Sequence, residues 1–128
     1  MKKILLLLSL IFLLTGCSSL PESEDYRQIE MDEAVVIMSE ETDYIILDVR
    51  THEEYEENHI PGAICIPNET IGSEAPSELP DKEQPILVYC RSGNRSKQAS
   101  QKLADMGYSN IVEIGGINDW TGDLETGQ

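Results

Sequence analysis

Nine Lys and Arg against twenty-four Asp and Glu in 128 residues give a formal charge of −15, with 40% apolar and 26% charged residues. That length holds one small domain, and the composition is that of a globular chain, not of a disordered or collagen-like one. Nucleic acid is excluded as a partner, because such binding rests on Lys and Arg neutralising phosphates.

Met1, Lys2 and Lys3 open the chain with positive charge, and residues 4–14 (ILLLLSLIFLL) form an apolar run broken only by Ser9. A spanning helix needs about 20 apolar residues, so the run has the proportions of a secretory signal peptide instead. Leu14, Thr15, Gly16 and Cys17 follow. This sequence resembles the lipobox of bacterial lipoproteins, in which the cysteine receives a diacylglycerol and becomes the first residue after cleavage. The resemblance implies that residues 1–16 are removed and that Cys17 is lipidated. The protein is then expected to be anchored by acyl chains on the extracytoplasmic face of a bacterial membrane in the cell envelope. Cleavage takes 16 residues from 128, leaving 112, and the loss of Lys2 and Lys3 moves the charge from −15 to −17. Residues 17–25 are polar and acidic and read as a lipidated tether.

From residue 26, short apolar runs alternate with helical patterns, which predicts an α/β domain over 26–121. Strands are predicted at 26–29, 44–49 (YIILDV), 63–66, 86–89 (ILVY) and 111–114 (IVEI). They form a central, five-stranded, mostly parallel sheet flanked by helices on both faces. Asp32 is expected to N-cap a helix that buries Ala34, Val35 and Met38, and Thr51 to Glu54 have the spacing of a capping box for a helix ending near Asn58. Residues 67–85 hold four prolines and read as a surface connection with one short helical turn. Residues 96–106 place Ala99, Leu103 and Met106 at helical spacing, stopped by Gly107. Residues 122–128 lack apolar content and are expected to be a flexible tail.

The three cysteines, at 17, 65 and 90, contain no CxxC pair; neither a disulfide framework nor a metal site is expected. Cys90 stands out, since it ends a strand and is followed by Arg91, Ser92, Gly93, Asn94, Arg95 and Ser96 at the mouth of a helix. The backbone amides of residues 92–96 can converge on one point, Gly93 allows the positive φ such a nest needs, and the helix start adds partial positive charge. Sulfur held there is favoured as thiolate, which makes Cys90 a candidate nucleophile. Once residues 1–16 are gone, four of the seven remaining cations (Arg91, Arg95, Lys97 and Lys102) fall between 91 and 102, where there is no acid. Lys97 and Lys102 read as a solvated helix face, whereas Arg91 and Arg95 lie in the loop.

Over residues 26–120 the chain resembles the single-domain rhodanese-like family. Asp48-Val49-Arg50, Glu54-Tyr55, the segment His59 to Ala63, the loop Cys90 to Ser96 and the closing Gly115 to Trp120 appear in the family's order. The resemblance implies a two-step sulfur transfer through a Cys90 persulfide, with no cofactor. A small anionic sulfur donor such as thiosulfate loads the enzyme, and a thiol or cyanide acceptor unloads it. Arg91, Ser92, Gly93, Asn94, Arg95 and Ser96 would cradle the persulfide, Arg95 stabilising it and Arg91 steering the donor, while Asp48 and Arg50 would support the loop. Four residues separate Cys90 from Arg95; phosphatases and arsenate reductases on this scaffold use five, so the shorter loop points to sulfur. The alternative is a carrier or redox-sensing module without turnover. Glu54 departs from two-domain relatives that place a cation there to help hold thiosulfate. Cys65 reads as a small buried thiol, with pairing to Cys90 left open. His52 reads as a surface residue, His59 as a turn stabiliser, Trp120 as an anchor for the final turn, and the protein as a monomer.

Overall fold

The computed structural model describes residues 25–128. The signal peptide, the lipidation at Cys17 and all but the last residue of the tether lie outside the described residues. Within them the strands are β1 (Arg27–Gln28), β2 (Ile45–Asp48), β3 (Ile64–Cys65), β4 (Ile86–Cys90) and β5 (Ile111–Gly116), and the helices are α1 (Met31–Glu40), α2 (His52–Glu57) and α3 (Asn94–Asp105). Short 3-10 turns occupy Asn68–Thr70 and Ile117–Asp119. The strands order as β1-β5-β4-β2-β3, every neighbouring pair parallel. Parallel neighbours need crossovers, and these place helices on both faces.

β4 is central, and its side chains explain why the run is apolar throughout. Ile86, Val88 and Cys90 face α3 and join Ala99 and Leu103 in one core cluster. Leu87 and Tyr89 face the other way and join Met31, Ala34 and Ile60. A two-residue period with both faces covered leaves no position for a solvent-facing polar residue.

Several local expectations are corrected. Glu30, not Asp32, occupies the N-cap of α1, without a side-chain cap; Asp32 lies in the first turn, where its charge still favours the helix dipole. The buried stripe of α1 runs through Met31 and Ala34, with Ile37 and Met38 packed beside it, and Val35, one position off the stripe, is exposed. In the 67–85 connection, Ile71 and Leu79 enter the core, and Tyr108 Oη donates to the Leu79 carbonyl at 2.6 Å. Lys102 Nζ donates to Asn68 O at 2.9 Å and Oδ1 at 3.1 Å, so this lysine ties the connection to α3 rather than facing bulk water alone. The C-terminal residues are also docked. Glu125 N donates to His59 O at 2.9 Å, His59 N donates back at 2.8 Å, and Gly127 N donates to Glu56 O at 2.8 Å. Hydropathy could not signal this, because backbone groups make the contacts.

Ser100, on the buried side of α3, is fully enclosed and its Oγ lacks a hydrogen-bond partner among the described residues. Ser100→Ala removes that unsatisfied group and improves helix propensity, so it should stabilise the fold by about 1 kcal/mol. A thermal melt should rise by roughly 4–8 °C; an unchanged or lower melting temperature contradicts the prediction.

Candidate active site

β2 and β4 end at one level, and a buried polar cluster fixes their ends. Asp48 accepts from Arg50 N at 2.9 Å, Arg50 Nη2 at 2.7 Å and Tyr89 Oη at 2.8 Å. Arg50 Nη2 also donates to Asn58 O at 2.6 Å, and Tyr89 Oη accepts from Ile60 N at 3.1 Å. Burial acts to lower the Arg50 pKa, but the hydrogen bond and charge of Asp48 outweigh it and hold it above its ordinary value. The Tyr89 hydroxyl is pushed up, first by burial and then by Asp48. Asp48 and Arg50 thus bear on the loop indirectly, through Tyr89, the residue before Cys90.

Cys90 pairs with Gly116 across the β4–β5 ladder, whose register shifts between Val88 and Cys90. The chain then turns sharply through Arg91 and Ser92 into Gly93, which caps α3 with φ +114°. Such a φ strains any residue with a Cβ. Gly93 N donates to Cys90 Sγ at 3.0 Å. Among the amides expected to converge there, Gly93 reaches the sulfur; those of Asn94, Arg95 and Ser96 begin α3 and have no intrahelical acceptor. Cys90 is 1% exposed, so the sulfur lies at the floor of the loop, while Arg91, Ser92 and Asn94 are exposed at its rim. Ser96 is enclosed, and its Oγ lies 3.4 Å from Cys90 Sγ and 2.6 Å from Glu113 Oε1.

Arg95, expected to serve the sulfur, is held by a carboxylate of α2. Its Nη1 and Nη2 donate to Glu54 Oε1 at 2.7 Å and Oε2 at 3.0 Å, a two-pronged pair that clamps the loop to α2. Glu54 also closes the capping box, with Thr51 Oγ1 accepting from Glu54 N at 3.2 Å. The residue that departs from two-domain relatives is therefore the partner of the loop arginine. The Arg95 hydrogen bond, against the opposing effect of burial, holds the Glu54 carboxyl down at about 2, below its ordinary 4.5. With the folded value below the unfolded one, this stabilisation is complete above pH 4.5 and lost as pH falls through about 2. Glu54→Gln should therefore narrow its melting-temperature deficit relative to the native protein across that window. A deficit that stays constant between those pH values would refute the assignment.

Arg91 has its side chain at the rim, where it lines a cleft of about 240 Å³ with Arg50, Glu54 and Asn118; its carbonyl accepts from Asn118 N at 3.3 Å. Cys65 and Cys90 are both free thiols. β2 lies between their strands, which puts them about 9–10 Å apart, beyond disulfide reach, and their side chains leave opposite faces of the sheet. Burial first, and the Asp48 charge second, push the Cys65 thiol up to about 11. His52 is exposed; His59 is buried, stacks on Tyr55 with ring centroids 3.7 Å apart, and holds Nδ1 2.8 Å from Tyr55 O. Sequence reasoning missed Glu113. Its one signal was an acid inside an otherwise apolar strand.

Comparison with known proteins agrees with this architecture. The prokaryotic membrane lipoprotein lipid attachment site matches residues 1–18, and among the described residues no helix is long and apolar enough to cross a membrane. Thiosulfate sulfurtransferase PspE of Escherichia coli is 38% identical over 73 residues, covering 57% of this chain and 70% of PspE. Thiosulfate sulfurtransferase GlpE of Coxiella burnetii is 36% identical over 96 residues, covering 74% and 87%. A solved structure described as rhodanese with anions from E. coli superposes with a TM-score of 0.60 at 34% identity, covering 66% of this chain and 99% of that one. The Rhodanese-like domain matches residues 31–123, a span that holds the strand-end cysteine, its tight loop and the helix that follows, and the chain belongs to that family.

Proposed function

We propose that this chain is a lipid-anchored sulfurtransferase in which Cys90 carries sulfane sulfur. The observation that carries the reading is Cys90 Sγ lying under the Gly93 amide at 3.0 Å, beside the N-terminus of α3. An amide and a helix dipole aimed at sulfur favour its negative form. The Cys90 thiolate attacks the outer sulfur of thiosulfate, a new S–S bond forms, and the old one breaks with its electron pair leaving on sulfite. A cyanide ion or a thiolate then attacks the outer sulfur of the persulfide, forming thiocyanate or a new persulfide and returning the Cys90 thiolate. The amides at the start of α3 would hold charge on the terminal sulfur. Arg91, at the rim and without a carboxylate partner among the described residues, draws in the anionic donor. Arg95 keeps the loop in place through Glu54.

Lipidation at Cys17 would place the domain on the extracytoplasmic face of a bacterial membrane, a reading supported by the attachment-site match over residues 1–18. The test is intact-mass measurement after exposure to thiosulfate, mercaptopyruvate or a small persulfide, followed by cyanide. Gain of one sulfur atom, mapped by peptide analysis to Cys90 and lost on cyanide treatment, is expected. Sulfur that loads but never leaves makes the protein a carrier, and no gain at Cys90 with any donor overturns the reading.

A further inference from the structure

Glu113 lies within β5, is 3% exposed, and has no part in the transfer steps above. Its Oε1 accepts from Ser96 Oγ at 2.6 Å and from Gly115 N at 2.8 Å. Ser96 Oγ also lies 2.9 Å from Gly93 O, 3.4 Å from Gly115 O and 3.4 Å from Cys90 Sγ. A hydroxyl has one hydrogen to give. The carboxylate is the nearest of these acceptors and the charged one, so it takes that hydrogen. Ser96 is then left facing the sulfur with its lone pairs. A lone pair accepts from S–H and repels a thiolate. The carboxylate charge, within about 6 Å of the sulfur, pushes in the same direction.

We infer that Glu113 is a positioning residue that restrains the ionisation of Cys90 by holding the Ser96 hydroxyl away from the sulfur. The inference deepens the sulfur-transfer reading by naming what regulates its nucleophile, and only its consequence for loading rate rests on that reading. The Gly93 amide and the start of α3 favour the thiolate; Ser96 and Glu113 oppose them. Other charged groups face this balance from each neighbouring element. Lys97 of α3, Glu33 of α1, Glu30 before it and Asp119 line one cleft with Glu113, while the Arg95–Glu54 pair stands at the front of the loop. Lys97 is the single cation among those cleft residues, outnumbered by the acids; Arg95, whose charge acts on Cys90, is paired with Glu54, and Arg91 lies exposed at the rim. A sulfur held back from full ionisation is also less open to oxidation.

The test is a pH titration of thiolate ultraviolet absorbance, with a Cys90→Ser titration subtracted to isolate Cys90. It uses no sulfur donor, so a protein that fails to load sulfur still answers. Glu113→Gln keeps an acceptor for Gly115 N but removes the charge that captures the Ser96 hydrogen. The Cys90 transition should move to lower pH by about one unit, with a rise approaching tenfold in thiolate below the transition. In a Ser96→Ala background the same substitution should produce less than half of that shift, because no hydroxyl hydrogen remains to be released. Glu113→Asp keeps the charge but withdraws it from Ser96, and should give an intermediate shift to lower pH; it stands in if the Gln variant does not fold. No shift, a shift to higher pH, or an equal shift with and without the Ser96 hydroxyl overturns the inference.

Discussion

Gly116→Ala is expected to reduce sulfur loading of Cys90 by about 100-fold or more, since displacement of a reacting group by about 1 Å costs that much. Gly116 has φ −128° and ψ 154°, an extended conformation open to any residue. The requirement is therefore space. A Cβ built there collides with the Arg91 carbonyl oxygen, and lies 2.5 Å from the Arg91 carbonyl carbon and 2.7 Å from Ser92 Cα. All three are backbone atoms of the loop, which cannot swing aside as a flexible side chain would. The loop must lift, carrying the Gly93 amide away from the sulfur, while overpacking costs the fold about 1–3 kcal/mol. The neighbouring glycine provides the contrast. Gly115 has φ +90°, and its Cβ would meet nothing within 4 Å. Gly115→Ala should therefore cost about 1–2 kcal/mol of strain but leave loading largely intact. Single-turnover loading followed by mass spectrometry separates the two, and native loading by Gly116→Ala would remove the steric argument.

Asp48→Ala should destabilise the domain by about 3–5 kcal/mol, the usual cost of breaking a buried ion pair from one side. Asp48 is fully buried and Arg50 is 4% exposed. Removing the carboxylate leaves the guanidinium with one carbonyl partner, that of Asn58, and strips the acceptor from Tyr89 Oη. Domains of this size have about 5–15 kcal/mol in total, so the variant should melt at least 15 °C or so lower. Asp48→Asn, which retains an acceptor oxygen, should fall between it and the native protein. If urea unfolding of Asp48→Ala shows a loss under 1 kcal/mol, the cluster is not what fixes the ends of β2 and β4.

The strands were legible because a parallel strand covered on both faces is apolar along nearly its whole length: 86–89 is so throughout, and 44–49 departs from it only at Asp48. Thr51 and Glu54 were legible because a capping box is written in four consecutive residues. The loop at Cys90 was legible for the same local reason. What escaped notice joins residues far apart in the chain: Arg95 with Glu54, Tyr89 with Asp48, Ser96 with Glu113, separated by 41, 41 and 17 positions. The family resemblance implied that Arg95 serves the sulfur; the fold also offers it a carboxylate on α2 that no local pattern announces. Val35 and the C-terminal residues show the same limit. Apolar character does not say which side of a short helix is covered, and its absence does not say that a backbone goes unpaired.

The strand order has a consequence for how the chain comes together. β5, the last of the described strands in chain order, lies between β1, the first of them, and β4. β1 therefore has no lateral neighbour, and β4 only one, until residues 111–116 have emerged from the ribosome. A nascent polypeptide with this topology cannot close its sheet until β5 has been made, so the pairings that complete the fold are long-range and late.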